Sequence, residues 1–111
     1  MVAKPNRIAE ARKAIQQALA ELVKEYEGSR VRIEENEWGH LDVTVGSDRF
    51  RNIRDDDRHD LVWKHLRTSL DPSDFGQLSE ISVLDRDEYQ RVFEIERWLA
   101  RHERYPQDFP L

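Results

Sequence analysis

A chain of 111 residues is one domain's worth of sequence, long enough to bury a single core without disulfides or a structural metal. It contains no cysteine, which excludes a disulfide framework, a thiolate nucleophile and a thiolate metal ligand of its own. Charged residues make up 37% and the net charge is -5, so the chain as a whole repels phosphate backbones, and no apolar run reaches the ~20 residues of a bilayer span.

The opening Met1-Val2-Ala3-Lys4-Pro5-Asn6-Arg7 lacks the apolar stretch of a signal peptide, and the expected location is cytoplasmic, with no membrane partner. Asn6 is the expected N-cap of a first helix. In it Ile8, Ala11, Ile15, Ala18, Leu19, Leu22 and Tyr26 recur at three- and four-residue steps along one face, and Gly28 is expected to end it. Arg30 to Glu34 alternates strictly, with Val31 and Ile33 to one side. After turn residues 35–39, Leu41, Val43 and Val45 point one way from a second strand and His40, Asp42 and Thr44 the other. So short a connection makes the two strands an antiparallel hairpin, with Arg30 or Arg32 expected to face Asp42 or Glu34 across it.

Gly46 to Asp57 reads as a connector with apolar anchors Phe50 and Ile53. Asp55, Asp56 and Asp57 have the carboxylates of a divalent-cation site, but Asp is also a preferred N-cap and favourable in a helix's first turn, and that reading is the better fit. Leu61, Val62, His65, Leu66, Ser69 and Leu70 form the inner face of a second helix, with Trp63 on its flank. Asp71-Pro72 stops that helix, and Phe75 tucks in from the loop beyond. Leu78 to Leu84 is a third strand with Ile81 and Val83 inward. Asp85 and Glu88 have capping-box spacing before a last helix, whose stripe is Tyr89, Val92, Phe93, Ile95, Trp98, Leu99 and Ala100. The tail Tyr105 to Leu111 is aromatic and Pro-interrupted, and docks either on its own domain or on a neighbour.

The order is α-β-β-α-β-α. A crossover from the second strand to the third suits a parallel relation between them. The expectation is an α+β two-layer sandwich, a mixed three-stranded sheet with helices packed on one face.

With that topology, His40-Leu41-Asp42-Val43-Thr44-Val45-Gly46-Ser47-Asp48-Arg49-Phe50, followed by Arg58-His59 and the apolar spacing Leu61, Val62, Leu66, resembles the BolA-like family. Asp85-Arg86-Asp87-Glu88-Tyr89 keeps the Glu and the aromatic of the family's step after the third strand. The likeness covers roughly residues 7–90. It implies a single BolA-like domain over 1–111, with residues 85–111 as an added C-terminal helix and Pro-containing tail. It also implies a non-enzymatic protein that pairs with a monothiol glutaredoxin around a shared [2Fe–2S] cluster, in a family some of whose members are linked to transcription. The family's cluster ligands are a His at the start of the third strand and a Cys or His in the hairpin loop. Here Ser79 occupies the first position and His40 is nearest to the second, so no cofactor is expected on the chain alone. The implied partner or ligand surface is His40, Arg49, Phe50, Arg58 and His59, on the connector 46–58 with the hairpin edge. His40 is its candidate metal ligand.

Other chemistries find less support in the residues. His59 and His65 are six apart rather than at the i, i+4 spacing of a zinc pair. His65 reads as a core or boundary residue and His102 as a surface one. No nucleophile has an evident base, and no metalloprotease, nucleophile-elbow or P-loop motif occurs, so no catalytic residue is assigned. Arg49, Arg51, Arg54, Arg58, Lys64 and Arg67 form a basic strip, and the element order resembles a KH module. Yet Gly46-Ser47-Asp48-Arg49 lacks the second glycine of the KH clamp, and Asp48, Asp55, Asp56, Asp57 and Asp60 nearly cancel the charge. The aromatic surplus of Trp38, Trp63, Trp98, Tyr105 and Phe109 leaves a homodimer or adaptor as a third reading.

Overall fold

The computed structural model describes residues 7–101. Helix α1 (Arg7–Val23) is followed by strands β1 (Arg30–Glu35) and β2 (Leu41–Gly46), a short 3-10 turn (Asp48–Phe50), helix α2 (Asp55–Ser69), a single helical turn α3 (Pro72–Phe75), strand β3 (Leu78–Leu84) and helix α4 (Arg86–Arg101). The three strands form one sheet in the order β1-β2-β3, with β1 antiparallel and β3 parallel to the central strand. The α+β class, the element order and the mixed sheet are those the alternation and crossover predict.

The core forms where the two periodicities meet. Leu41, Val43 and Val45 alternate onto one face of β2 and are buried beside Ile81 and Val83 of β3. Ala11, Ile15, Leu19 and Leu22 of α1, with Val62, Leu66 and Leu70 at the α2 end, close over them. Both helices therefore cover a single face of the sheet, and Trp63 meets Phe75 edge-on at its margin, 5.5 Å between ring centres. His65 is half-buried on the inner side of α2 and donates its Nε2–H to the Ala18 carbonyl of α1 at 2.7 Å.

Several local expectations are corrected. Asn6 and the tail from His102 lie outside the described residues. Helix α1 ends at Val23 rather than just before Gly28. Residues 24–28 form turns, Gly28 has φ of 65°, and Tyr26 is left half exposed. The N-cap of α2 is Arg54, which makes no side-chain capping bond; Asp55, Asp56 and Asp57 instead fill the first turn, where their negative charge is favoured by the positive end of the helix dipole. Across the hairpin, Arg30 faces Gly46, Arg32 faces Thr44 and Glu34 faces Asp42, so the expected cross-strand ion pairs do not form. The hairpin's width decides this: Asn36 N–H donates to the His40 carbonyl at 2.8 Å, which fixes the register from the turn end. Asp42 is served by the Asn36 side-chain amide at 3.1 Å instead.

Helix α4 starts from the capping box expected of Asp85 and Glu88: Glu88 N–H donates to Asp85 Oδ1 at 2.9 Å and Asp85 N–H to Glu88 Oε1 at 2.8 Å. It then crosses the reverse face of the sheet. Tyr89 lies against Gly46, where an added Cβ would come within 2.5 Å of the Tyr89 Cβ, and Glu96 pairs with Arg32 of β1. None of its residues is buried. Val92, Phe93, Ile95 and Leu99 remain 40%, 46%, 51% and 37% exposed, so the apolar stripe stays largely in solvent.

Candidate functional site

The connector is fixed from inside. Ser47 is fully buried, exchanges a 2.8 Å hydroxyl contact with Ser29, and caps the 3-10 turn by accepting Arg49 N–H at 3.1 Å. That turn delivers Phe50 into the core, where it is fully buried. Arg49 folds back so that its guanidinium donates to the Leu22 carbonyl and stacks over the Tyr26 ring, 5.4 Å from its centre. Arg51 pairs with Asp48 at 3.1 Å and with Asp87 of α4 at 3.5 Å.

Arg58 is the most heavily used of these cations. Only 6% exposed, it donates Nε–H to the Ile53 carbonyl at 2.8 Å and Nη1–H to Glu88 at 2.7 Å, with the Val83 carbonyl at 3.4 Å. It thereby fastens the connector, β3 and α4 together. The Glu88 carboxyl is held below the usual carboxylate range, chiefly by the Asp85 N–H and next by the Arg58 guanidinium. Of the six cations in the strip read from the sequence, Arg49, Arg51 and Arg58 are thus engaged within the domain.

The remaining candidates gather elsewhere. Leu41 lies beside Leu78, and the parallel register then shifts before Asp42 pairs with Glu80. Ser79 is the residue at that irregularity, exposed, next to the strand that His40 leads into. His59 donates its Nε2–H to the Ile81 carbonyl at 2.8 Å, two residues further along the same strand. His40 is half-buried. Its main-chain N–H donates to Asn36 Oδ1 at 3.0 Å, while its ring Nδ1 is buried and, among the described residues, has no hydrogen-bond partner. Trp38, at the tip of the same hairpin, is 78% exposed, more than any other large apolar residue described. His40 and Ser79 therefore share one end of the β2–β3 ladder, while His59 sits beside its middle, at Ile81. Arg49 and Phe50 lie past the other end of β2, so the five sequence candidates do not converge.

No protein-family model matches the chain, and no curated protein matches it. Among solved structures it is similar to BolA1 from Arabidopsis thaliana, at 27% identity over 72% of this chain and 89% of that chain, with a TM-score of 0.41.

A bridged [2Fe–2S] cluster does not fit the donors present. The buried, unpartnered Nδ1 of His40 is one suitable nitrogen, but Ser79 offers a neutral hydroxyl where a second imidazole or thiolate is needed, and the chain has no cysteine. Among the described residues no group of three or more His, Asp or Glu side chains is placed to hold a metal ion, and no helix is long and apolar enough to cross a membrane. In the sequence Trp38 counts only toward the aromatic surplus behind the adaptor reading, because an aromatic in a turn reads equally as packing. Only its exposure separates the two.

Proposed function

We propose that this chain is a non-enzymatic BolA-like interaction domain that binds a monothiol-glutaredoxin-class partner through the hairpin end of its sheet, without itself completing the ligand set of a shared cluster. The observation that carries this reading is the juxtaposition at that end of an exposed Trp38, an imidazole with an unused buried nitrogen at His40, and the strand irregularity at Ser79. An exposed aromatic beside unsatisfied polar groups is the make-up of an interface anchor. The residues that carry the family likeness support the partner class: His59 braces the outer edge of β3, and Ser47, Phe50 and Arg58 brace the opposite end of the sheet.

Titrating the full chain with a monothiol glutaredoxin, by calorimetry and with the visible spectrum recorded, tests the reading. A complex is expected, with no cluster absorbance contributed by this chain. Trp38→Ala weakens the complex about thirtyfold or more, the scale of an anchor residue, with unchanged thermal stability. Absence of any complex at high micromolar concentration rejects the reading. Ser79→His supplies the missing donor, and a cluster spectrum in that variant alone would support the assignment of the two positions.

A further inference from the structure

The two edges of the sheet are finished differently. On β3 the Ser47 N–H donates to the Leu84 carbonyl at 3.1 Å, so the alternation along the strand turns the Ile81 and Val83 carbonyls away from β2. There His59 and Arg58 occupy them. That edge is shut by side chains anchored in the domain's own bracing network.

On β1 the alternation runs from the bond between Asn36 N–H and the His40 carbonyl, which makes Glu35, Ile33 and Val31 the residues whose backbone groups face outward. The Ile33 carbonyl accepts from Arg12 of α1. Among the described residues no bond from a side chain reaches the outward groups of Val31 or Glu35. The strand itself reads Arg30-Val31-Arg32-Ile33-Glu34-Glu35, basic in its first half and acidic in its second. Such a strand is complementary to its own reverse.

We propose that β1 is a self-pairing edge, by which two copies of this chain join β1 to β1 antiparallel about a two-fold axis at Ile33 and make one six-stranded sheet. In that register Ile33 lies opposite Ile33 of the second copy, Val31 opposite Glu35 and Arg32 opposite Glu34. The outward-facing residues then meet one another in three hydrogen-bonded pairs, about six backbone bonds. Arg32 and Glu34 fall at the closely spaced positions between them, where opposite charges stabilise most. Alternatives fail on the same residues. A one-residue slip sets outward groups against inward ones, and a two-residue slip sets Arg32 against Arg32. Glu35 of the second copy, on the helix-covered face beside Val31, replaces the Ile33 carbonyl as the acceptor for Arg12.

The test is sedimentation of the full chain over a concentration series from low to high micromolar, at low and at high salt. The native chain is expected to shift from monomer to dimer, more weakly at high salt. Glu34→Arg, whose side chain bonds only Arg32, weakens the dimer at least tenfold while leaving the far-ultraviolet spectrum unchanged. Arg32→Glu does the same, and an equimolar mixture of the two variants dimerises again, because both cross-strand pairs become oppositely charged. If Arg32→Glu fails to fold for want of its Glu96 partner, the Glu34→Arg result alone decides. A native chain that stays monomeric throughout, a dimer that survives Glu34→Arg, or two folded variants that do not recombine each overturns the proposal. None of these outcomes depends on the glutaredoxin titration.

Discussion

Replacing Arg58 with methionine removes a guanidinium while keeping an unbranched side chain of similar reach. In the folded domain Arg58 is 6% exposed and serves Glu88 at 2.7 Å and the Ile53 carbonyl at 2.8 Å. The Glu88 side chain is 36% exposed, so it regains water when its partner leaves, and the ion-pair bond is discounted to about 1–1.5 kcal/mol. The Ile53 and Val83 carbonyls each lose a donor, at about 1 kcal/mol apiece where water does not replace it. The total is about 2–4 kcal/mol, which for a domain near 100 residues corresponds to a fall in Tm of about 10–25 °C. Circular dichroism melts measure it. Hydrogen exchange locates it, since α4 should lose protection before the sheet does. A fall below about 3 °C, with α4 exchange unchanged, refutes the view that Arg58 is the fastening between connector, β3 and α4.

Glu88 gives the pH counterpart. Its folded pKa lies below the unfolded value, so its contribution is fully present above the ordinary carboxylate range and is lost as pH falls through the folded value. Acid titration of stability should show that loss in the native chain and a smaller one in Arg58→Met, while equal slopes would exclude the coupling. Gly46→Ala places a Cβ within 2.5 Å of Tyr89 Cβ and should cost about 1–3 kcal/mol by lifting the start of α4, read as altered Tyr89 contacts in NMR spectra with the core intact. Phe50→Ala empties a fully buried position and should cost about 3–5 kcal/mol in denaturant unfolding, whatever the partner.

The sheet and both core helices were legible because their signals are local and periodic. Val31 and Ile33, then Leu41, Val43 and Val45, alternate; Ile15, Leu19 and Leu22 recur at helical steps; and the register follows from which set must be buried. The fate of the site residues was not legible. Phe50 and Arg58 both carry the family likeness, but a pattern of residue types does not say whether a side chain points at a partner or at its own core. For Arg58 the deciding fact is Glu88, thirty positions away and brought near only by the crossover. The exposure of the α4 stripe was not legible for a related reason: amphipathicity reports that a helix has an apolar side, not that anything in the chain covers it.

The central place of β2, with one neighbour joined by a tight turn and the other by about thirty intervening residues, has a kinetic meaning. Closing the short loop costs little chain entropy, whereas the long one must be closed before β3 returns anything for it. Refolding should therefore protect the amides shared by β1 and β2 ahead of those shared by β2 and β3. Until the second event, one side of the middle strand stands open to whatever extended segment it meets first.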